Sequence, residues 1–245
     1  MKTTKIEWTE RTWNPITGCT KQSIGCVNCY AERMSRRLCA MGNPKYINGF
    51  KLTMHPEVLV EPLKWKKPST IFVCSMSDLF HNDVPFDFID KVFRIIEETP
   101  RHNYQILTKR AERMSEYFGH RNIPRNVWVG VTVEHESTKQ RIDCIRDLKA
   151  QVKFLSCEPL LGDLGLLDLT GINWIIVGGE SGTQARPMKA EWVFNIKNQA
   201  VENNIPFFFK QWGTWSQEGV KANKKINGKL LQGKIVQEMP YVSKK

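Results

Sequence analysis

Six short apolar runs, four of them followed by an amphipathic stretch, recur along the chain and leave few folds open. They are TIFVCS (70–75), NYQILT (103–108), NVWVGVTV (126–133), VKFLSC (152–157), NWIIVGG (173–179) and IPFFFKQW (205–212). Their bodies are almost continuously apolar, which is the pattern of strands covered on both faces. Between them lie helical patterns at 86–99, 109–118, 136–149 and 189–203. The first places Phe86, Ile89, Val92, Phe93 and Ile96 on one face at i, i+3 and i+4 spacing. Such alternation predicts a parallel sheet wrapped by helices. TWNPITGC (12–19) supplies one more strand or extended lead-in, and a helix is expected over 30–41, for six or seven βα units. An open doubly wound sheet accommodates that count, and so does an incomplete barrel. The expected class is α/β, a partial TIM-like (βα)6–7 barrel with parallel strands. Residues 1–213 form one barrel domain in this reading, with an inserted loop at 42–68 and an irregular C-terminal extension over 214–245.

The chain has 245 residues, 41% hydrophobic and 25% charged, enough to bury a full core. No apolar run approaches the roughly 18–20 residues of a membrane span, and the N-terminus lacks a signal-type apolar region. The chain is therefore expected in the cytoplasm, with no membrane partner. Thiols stay reduced there, and seven cysteines, an odd number, argue against a disulfide framework. A net charge of +11 attracts polyanions, nucleic acid first among them.

Ligands of parallel α/β folds sit at the carboxyl ends of the strands. Nearly every candidate strand here ends in polar groups: Ser75, Ser77 and Asp78; Thr108, Lys109 and Arg110; Thr132 and Glu134; Cys157 and Glu158; Gly178, Gly179, Glu180 and Ser181; Lys210 and Gln211. Together they predict a polar site.

Three of the seven cysteines, Cys19, Cys26 and Cys29, fall in a C-x6-C-x2-C stretch just before the helix expected at 30–41. Gly18 and Gly25 let that loop turn. Thiolates on short loops hold iron–sulfur clusters, and three of them leave one iron open. Structural zinc is the rival; it needs a fourth ligand, for which Cys39 and His55 are candidates. Cys39, Cys74 and Cys144 read as small core residues, while Cys157 sits at a strand end facing the expected site.

The stretch WNPITGCTKQSIGCVNCYAERM (13–34), followed by SMSDLF, LTKR, VGVTVE, SCEPLLG and GGESG at strand ends, resembles a phage-associated, radical-SAM-like three-cysteine-motif family of unknown function, of the DUF5131 type. The resemblance runs from about residue 5 to 213 and is most specific at the cysteines. More distantly the chain is similar to the radical SAM superfamily, with spore photoproduct lyase, a DNA-repair member, as a relative by fold. The superfamily spacing is usually C-x3-C-x2-C with an aromatic before the third cysteine; here Tyr30 follows it.

The resemblance implies an enzyme in which Cys19, Cys26 and Cys29 ligate a [4Fe–4S] cluster and S-adenosylmethionine chelates the open iron. One electron, from a reductant such as flavodoxin or ferredoxin, would cleave the sulfonium and yield a 5′-deoxyadenosyl radical. That radical takes hydrogen from a substrate, here a nucleic acid or nucleotide-like molecule; a third reading is a degenerate barrel that keeps the fold and acts only with a partner protein. By position, Ser75, Ser77 and Asp78 contact the methionine amino group, Lys109 or Arg110 its carboxylate, and Thr132 and Glu134 the ribose hydroxyls. Asp78 and Glu134 have helix capping as their alternative use. Gly178, Gly179 and Glu180 resemble the family's Gly-Gly-Glu element, although that element belongs after the second strand. Glu158, Arg186 and Lys210 are the catalytic candidates, on the substrate side with Gln211. Trp212 and Trp215 serve either base stacking or packing. The competing reading is a zinc-stabilised nucleic-acid-binding α/β protein without catalysis.

Overall fold

A computed structural model describes residues 4–241. Seven strands form the main sheet: β1 (Arg11–Trp13), β2 (Thr70–Val73), β3 (Asn103–Thr108), β4 (Val127–Thr132), β5 (Val152–Cys157), β6 (Trp174–Gly178) and β7 (Phe207–Gln211). Their spatial order is their chain order. Registers are parallel, with Trp13 beside Val73, Val73 beside Ile106, Phe154 beside Trp174 and Ile176 beside Phe208. A doubly wound sheet reverses its strand order at a switch point. This sheet never reverses, so it is the wall of a partial TIM-like barrel. The helices are α1 (Tyr30–Ala40), α2 (Phe86–Glu98), α3 (Ala111–Phe118), α4 (Arg141–Arg146) and α5 (Ala190–Glu202). Among the described residues, no helix is long and apolar enough to cross a membrane.

Two compact units divide the chain. Of the described residues, 4–23, 29–129 and 148–151 make the first; 24–28, 130–147 and 152–241 make the second. In the first, α2 buries Ile89, Val92, Phe93 and Ile96, as the periodicity predicts, together with Phe88 and Ile95, while Phe86 is only half-buried. Tyr117 and Phe118 of α3 meet Phe93 at 5.4 and 5.3 Å between ring centroids. Each such aromatic contributes about 1.5–3 kcal/mol by leaving water. β2 stops at Val73, short of the expected Ser75, because Cys74 takes a left-handed φ of 58°. The inserted stretch at 42–68 is ordered by short 3-10 turns, Pro44–Tyr46, Pro56–Val58 and Glu61–Lys64, each with proline in its first positions. It is tied down by Trp13 Nε1, which donates to the Val58 carbonyl at 3.0 Å.

In the second unit, Gly130 leaves room for the Phe154 ring, since an added Cβ would stand 2.5 Å from it. The helix expected over 136–149 is shorter. A 3-10 turn, Glu136–Thr138, capped by the His135 side chain, precedes α4. The C-terminal extension carries a helical turn, Lys224–Asn227, and a small hairpin of Leu230–Leu231 with Lys234–Ile235. It covers the outer edge of β7. The Phe209 amide donates to Val236 at 2.7 Å, and Phe208 bridges Gln237 in antiparallel fashion. Trp174 Nε1 donates to Glu238 at 2.9 Å, so an edge that would otherwise invite strand addition is paired.

Candidate metal centre

The cysteine loop runs from the two-residue strand Ile16–Thr17 to α1. Gly18 opens it with φ 78°, and an added Cβ there would run into the Lys51 carbonyl oxygen, so both conformation and space require glycine. Ile24–Cys26 forms one 3-10 turn, and Cys29 is the N-cap of α1. Cys19, Cys26 and Cys29 are all half-buried. Cys74 and Cys157 are buried, and burial pushes both thiols far up, so neither is a ready thiolate. Cys39 packs with Ala31, Tyr46 and Met76. His55 has Thr17 Oγ1 at 2.8 Å from Nε2 and Glu57 at 3.4 Å from Nδ1. Of the two proposed fourth zinc ligands, His55 is thus held by protein partners, while Cys39 is half-buried against the same cluster as Cys29. Among the described residues, no three His, Cys, Asp or Glu side chains converge as for a single ion. The loop supplies three half-buried thiols, the donor type that iron–sulfur clusters take, one sulfur to each iron.

In the first unit, Asp78 and Arg110 pair at 3.0 Å with side chains only 8% and 4% exposed. Asp78 also accepts from Thr108 Oγ1 (2.7 Å) and from the amides of Phe80 (3.0 Å) and Lys109 (3.2 Å). It locks the loop after β2 to the end of β3. Arg110 reaches on to the cysteine loop. Its Nη1 donates to Cys19 Sγ at 3.6 Å, and its Nη2 to Thr20 O and Oγ1 at 3.2 and 2.9 Å. Burial acts against its charge, but the charges of Asp78 and Cys19 outweigh it and hold Arg110 more firmly protonated. Thr20 Oγ1 lies 2.8 Å from His81 Nε2, an imidazole that burial and the Arg110 charge keep neutral. Ser75 and Ser77 brace the same loop. Ser75 Oγ donates to Asn14 Oδ1 at 3.2 Å, its carbonyl accepts from Tyr30 OH, and Ser77 Oγ donates to the Gly18 carbonyl.

In the second unit, Glu134 is fully buried and pairs with Arg141 at 2.8 Å; Arg141 also donates to the Thr132 carbonyl. Glu180 Oε2 accepts from Asn28 Nδ2 (2.9 Å), the Arg186 amide (2.8 Å) and Arg186 Nε (3.0 Å), and Oε1 accepts from Arg186 Nη2 (2.6 Å). Burial works to raise the Glu180 pKa, but the hydrogen bonds from Arg186 and Asn28 prevail and hold it below the usual carboxylate range. Lys210 pairs with Glu158 at 3.0 Å, and both remain partly open to solvent. The glycine pair admits protein rather than ligand. A Cβ on Gly179 would run into the Trp212 carbonyl oxygen, and one on Gly178 would meet the Glu158 carboxylate at 2.7 Å. Trp212 is packed against Phe209 and donates to Leu230, and Trp215 Nε1 donates to Ala185. Asn14, Asn28, Thr20, His81 and Arg141 are participants that sequence reasoning missed. An Asn two residues after Cys26 carries no distinguishing pattern of its own.

Two solved structures of spore photoproduct lyase are similar to this chain. One, of a cysteine-to-serine mutant, is 10% identical, with 74% of this chain and 60% of that one covered and a TM-score of 0.46. The other, a complex with dinucleoside spore photoproduct, is 9% identical, with 76% and 59% covered and a TM-score of 0.44. Overlaps this loose assign no residue and no activity here. Among curated proteins, mannan endo-1,4-beta-mannosidase 2 of Oryza sativa subsp. japonica is 26% identical over 145 residues, spanning 50% of this chain and 33% of the mannosidase. The chain thus covers about a third of that relative and about 60% of the lyases. A family profile, in contrast, matches residues 3–240, from ahead of β1 through the cysteine loop to the C-terminal extension. The chain therefore belongs to the family described as "Protein of unknown function (DUF5131)".

Proposed function

We propose that the chain is a radical S-adenosylmethionine enzyme whose Cys19, Cys26 and Cys29 hold a [4Fe–4S] cluster and whose substrate is a nucleic acid or nucleotide-like molecule. The clustering of the cysteines carries this reading: Cys19, Cys26 and Cys29 lie within eleven residues of one loop and stay half-buried, whereas Cys74 and Cys157 are sealed in the core. Cys39 and Cys144, half-buried rather than core as expected, stand apart on helices. When bound, the cluster and S-adenosylmethionine would supply reductive cleavage of a carbon–sulfur bond and a radical able to take hydrogen from a substrate. Arg110 sets a positive charge where a metal-bound Cys19 thiolate would carry its negative one. Ser75, Ser77 and Lys109 are half-buried at the ends of β2 and β3, and in this reading they contact the methionine portion. Lys210, partly open beside Glu158, suits a substrate phosphate. The net charge of +11 draws such polyanions. A flavodoxin- or ferredoxin-like reductant and a cytoplasmic setting, where thiols stay reduced, complete the reading.

The mannosidase similarity supports no second function. Glu134, Glu158 and Glu180 each face a cation. Glu180 is held ionised, the opposite of the raised pKa that a glycosidase acid needs. The test is oxygen-free reconstitution with iron and sulfide. About four irons and four sulfides per chain are expected, with broad visible absorption that a reductant bleaches and 5′-deoxyadenosine formed from S-adenosylmethionine. A colourless protein holding one zinc ion and no sulfide would overturn it.

A further inference from the structure

We infer that Glu180 and Arg186, with Asn28, are positioning residues that clamp the Cys26 segment so that the loop can take up its cluster; this rests on the cluster reading above. The segment Ile24–Asn28 is placed with the second unit, away in sequence from everything that holds it. Its two ends are gripped by one loop. Arg186 Nη1 donates to the Ile24 carbonyl at 3.0 Å. Asn28 Nδ2 donates to Glu180 Oε2 at 2.9 Å and to the Gln184 carbonyl at 2.7 Å. Ile24 and Asn28 stand two residues before and two after Cys26, so the grip brackets that cysteine. The middle of the segment is held from a second side, because a Cβ on Gly25 would come within 2.8 Å of the buried Glu134 carboxylate.

The chemistry of Glu180 favours this role over direct ligand contact. A carboxylate offers about four lone-pair sites. Four protein donors already reach it, three of them from Arg186 and one from Asn28. An incoming ammonium group would have to displace one of them. Each nitrogen of the Arg186 guanidinium is engaged likewise, Nε and Nη2 on Glu180 and Nη1 on Ile24. A bidentate pair whose third nitrogen donates to a backbone carbonyl fixes geometry, as supporting residues do around metal ligands.

The experiment uses the full chain and compares Asn28→Ala, Glu180→Gln and Arg186→Lys with wild type. Arg146→Ala, which breaks an exposed bridge to Asp143 and Asp168 in the same unit, is the control for general weakening. Hydrogen exchange of the amides at 24–28 is read on the metal-free protein, and bound iron and sulfide after oxygen-free reconstitution. The clamp predicts about ten-fold faster exchange at 24–28 in the three variants. It also predicts at least a halved iron and sulfide content, with Arg146→Ala matching wild type in both. Wild-type exchange and iron content in all three variants would overturn it, as would equal losses in Arg146→Ala. If wild type itself takes up no cluster, the functional reading fails, while faster exchange in the variants still reports the grip on the segment.

Discussion

Two arginines hold the cysteine loop, and they do so differently. Arg110 is buried, pairs with a buried aspartate and reaches the Cys19 sulfur itself. Arg186 is about a third exposed, pairs with Glu180, and grips the backbone two residues before Cys26. The first anchor ties the half-buried Cys19 and the exposed Thr20 to a desolvated ion pair; the second holds a segment from the surface. A buried pair is costly to break because the surviving charge is stranded, whereas a half-exposed one is rescued by water. The two halves of the loop are thus expected to differ in how much stability, and how much positioning, each arginine contributes.

The largest effect expected is all-or-none. Cys19→Ser and Cys26→Ser should each abolish stable cluster loading while Cys39→Ser leaves it intact, as read by iron and sulfide analysis. Loading that survives in Cys26→Ser would remove the reason to compare the two anchors at all. Next, Asp78→Ala strands Arg110 and should cost about 3–5 kcal/mol in denaturant unfolding, against about 1–2 kcal/mol for Glu180→Gln. Equal costs would erase the distinction between buried and surface anchor.

The two loop glycines sharpen the same contrast. Gly18→Ala puts a side chain at φ 78° and against backbone; about 3 kcal/mol is expected. Gly25→Ala meets only the Glu134 side chain, and about 1 kcal/mol is expected, both measured by thermal unfolding. The smallest effect is one of pH. Because Glu180 has its folded pKa below the unfolded value of about 4.3, its stabilisation is complete above that value and disappears as pH falls through the lower one. Amides at 24–28 should lose protection on acidification below about pH 4, and Glu180→Gln should flatten that dependence.

Much of the fold was legible because it is written locally. NYQILT and VKFLSC are strands over the residues expected, and α2 buries the face its spacing marks. The cysteine stretch, too, is a loop leading into a helix, as its glycines and position suggest. The roles at the strand ends were less legible. Asp78, Glu134, Glu158 and Glu180 stand where expected, yet each is taken by a cation: Arg110, Arg141, Lys210 and Arg186. A buried carboxylate announces that it needs a partner, but not which of 36 Lys and Arg supplies it. Gly179 shows the same limit. Its need for close approach is visible in the sequence, while the neighbour, the Trp212 backbone, is brought there only by the pairing of β6 with β7.

By itself the sequence determined the βα alternation, the polar strand ends and the cysteine loop ahead of a helix, since periodicity and composition report where elements begin and which face of each is buried. Only the tertiary structure decided that the strands run in unbroken order, that the C-terminal extension seals the edge of β7, and which cation meets which carboxylate. Those outcomes depend on where elements far apart in the chain come to rest, and desolvation enforces the pairing only once they are there.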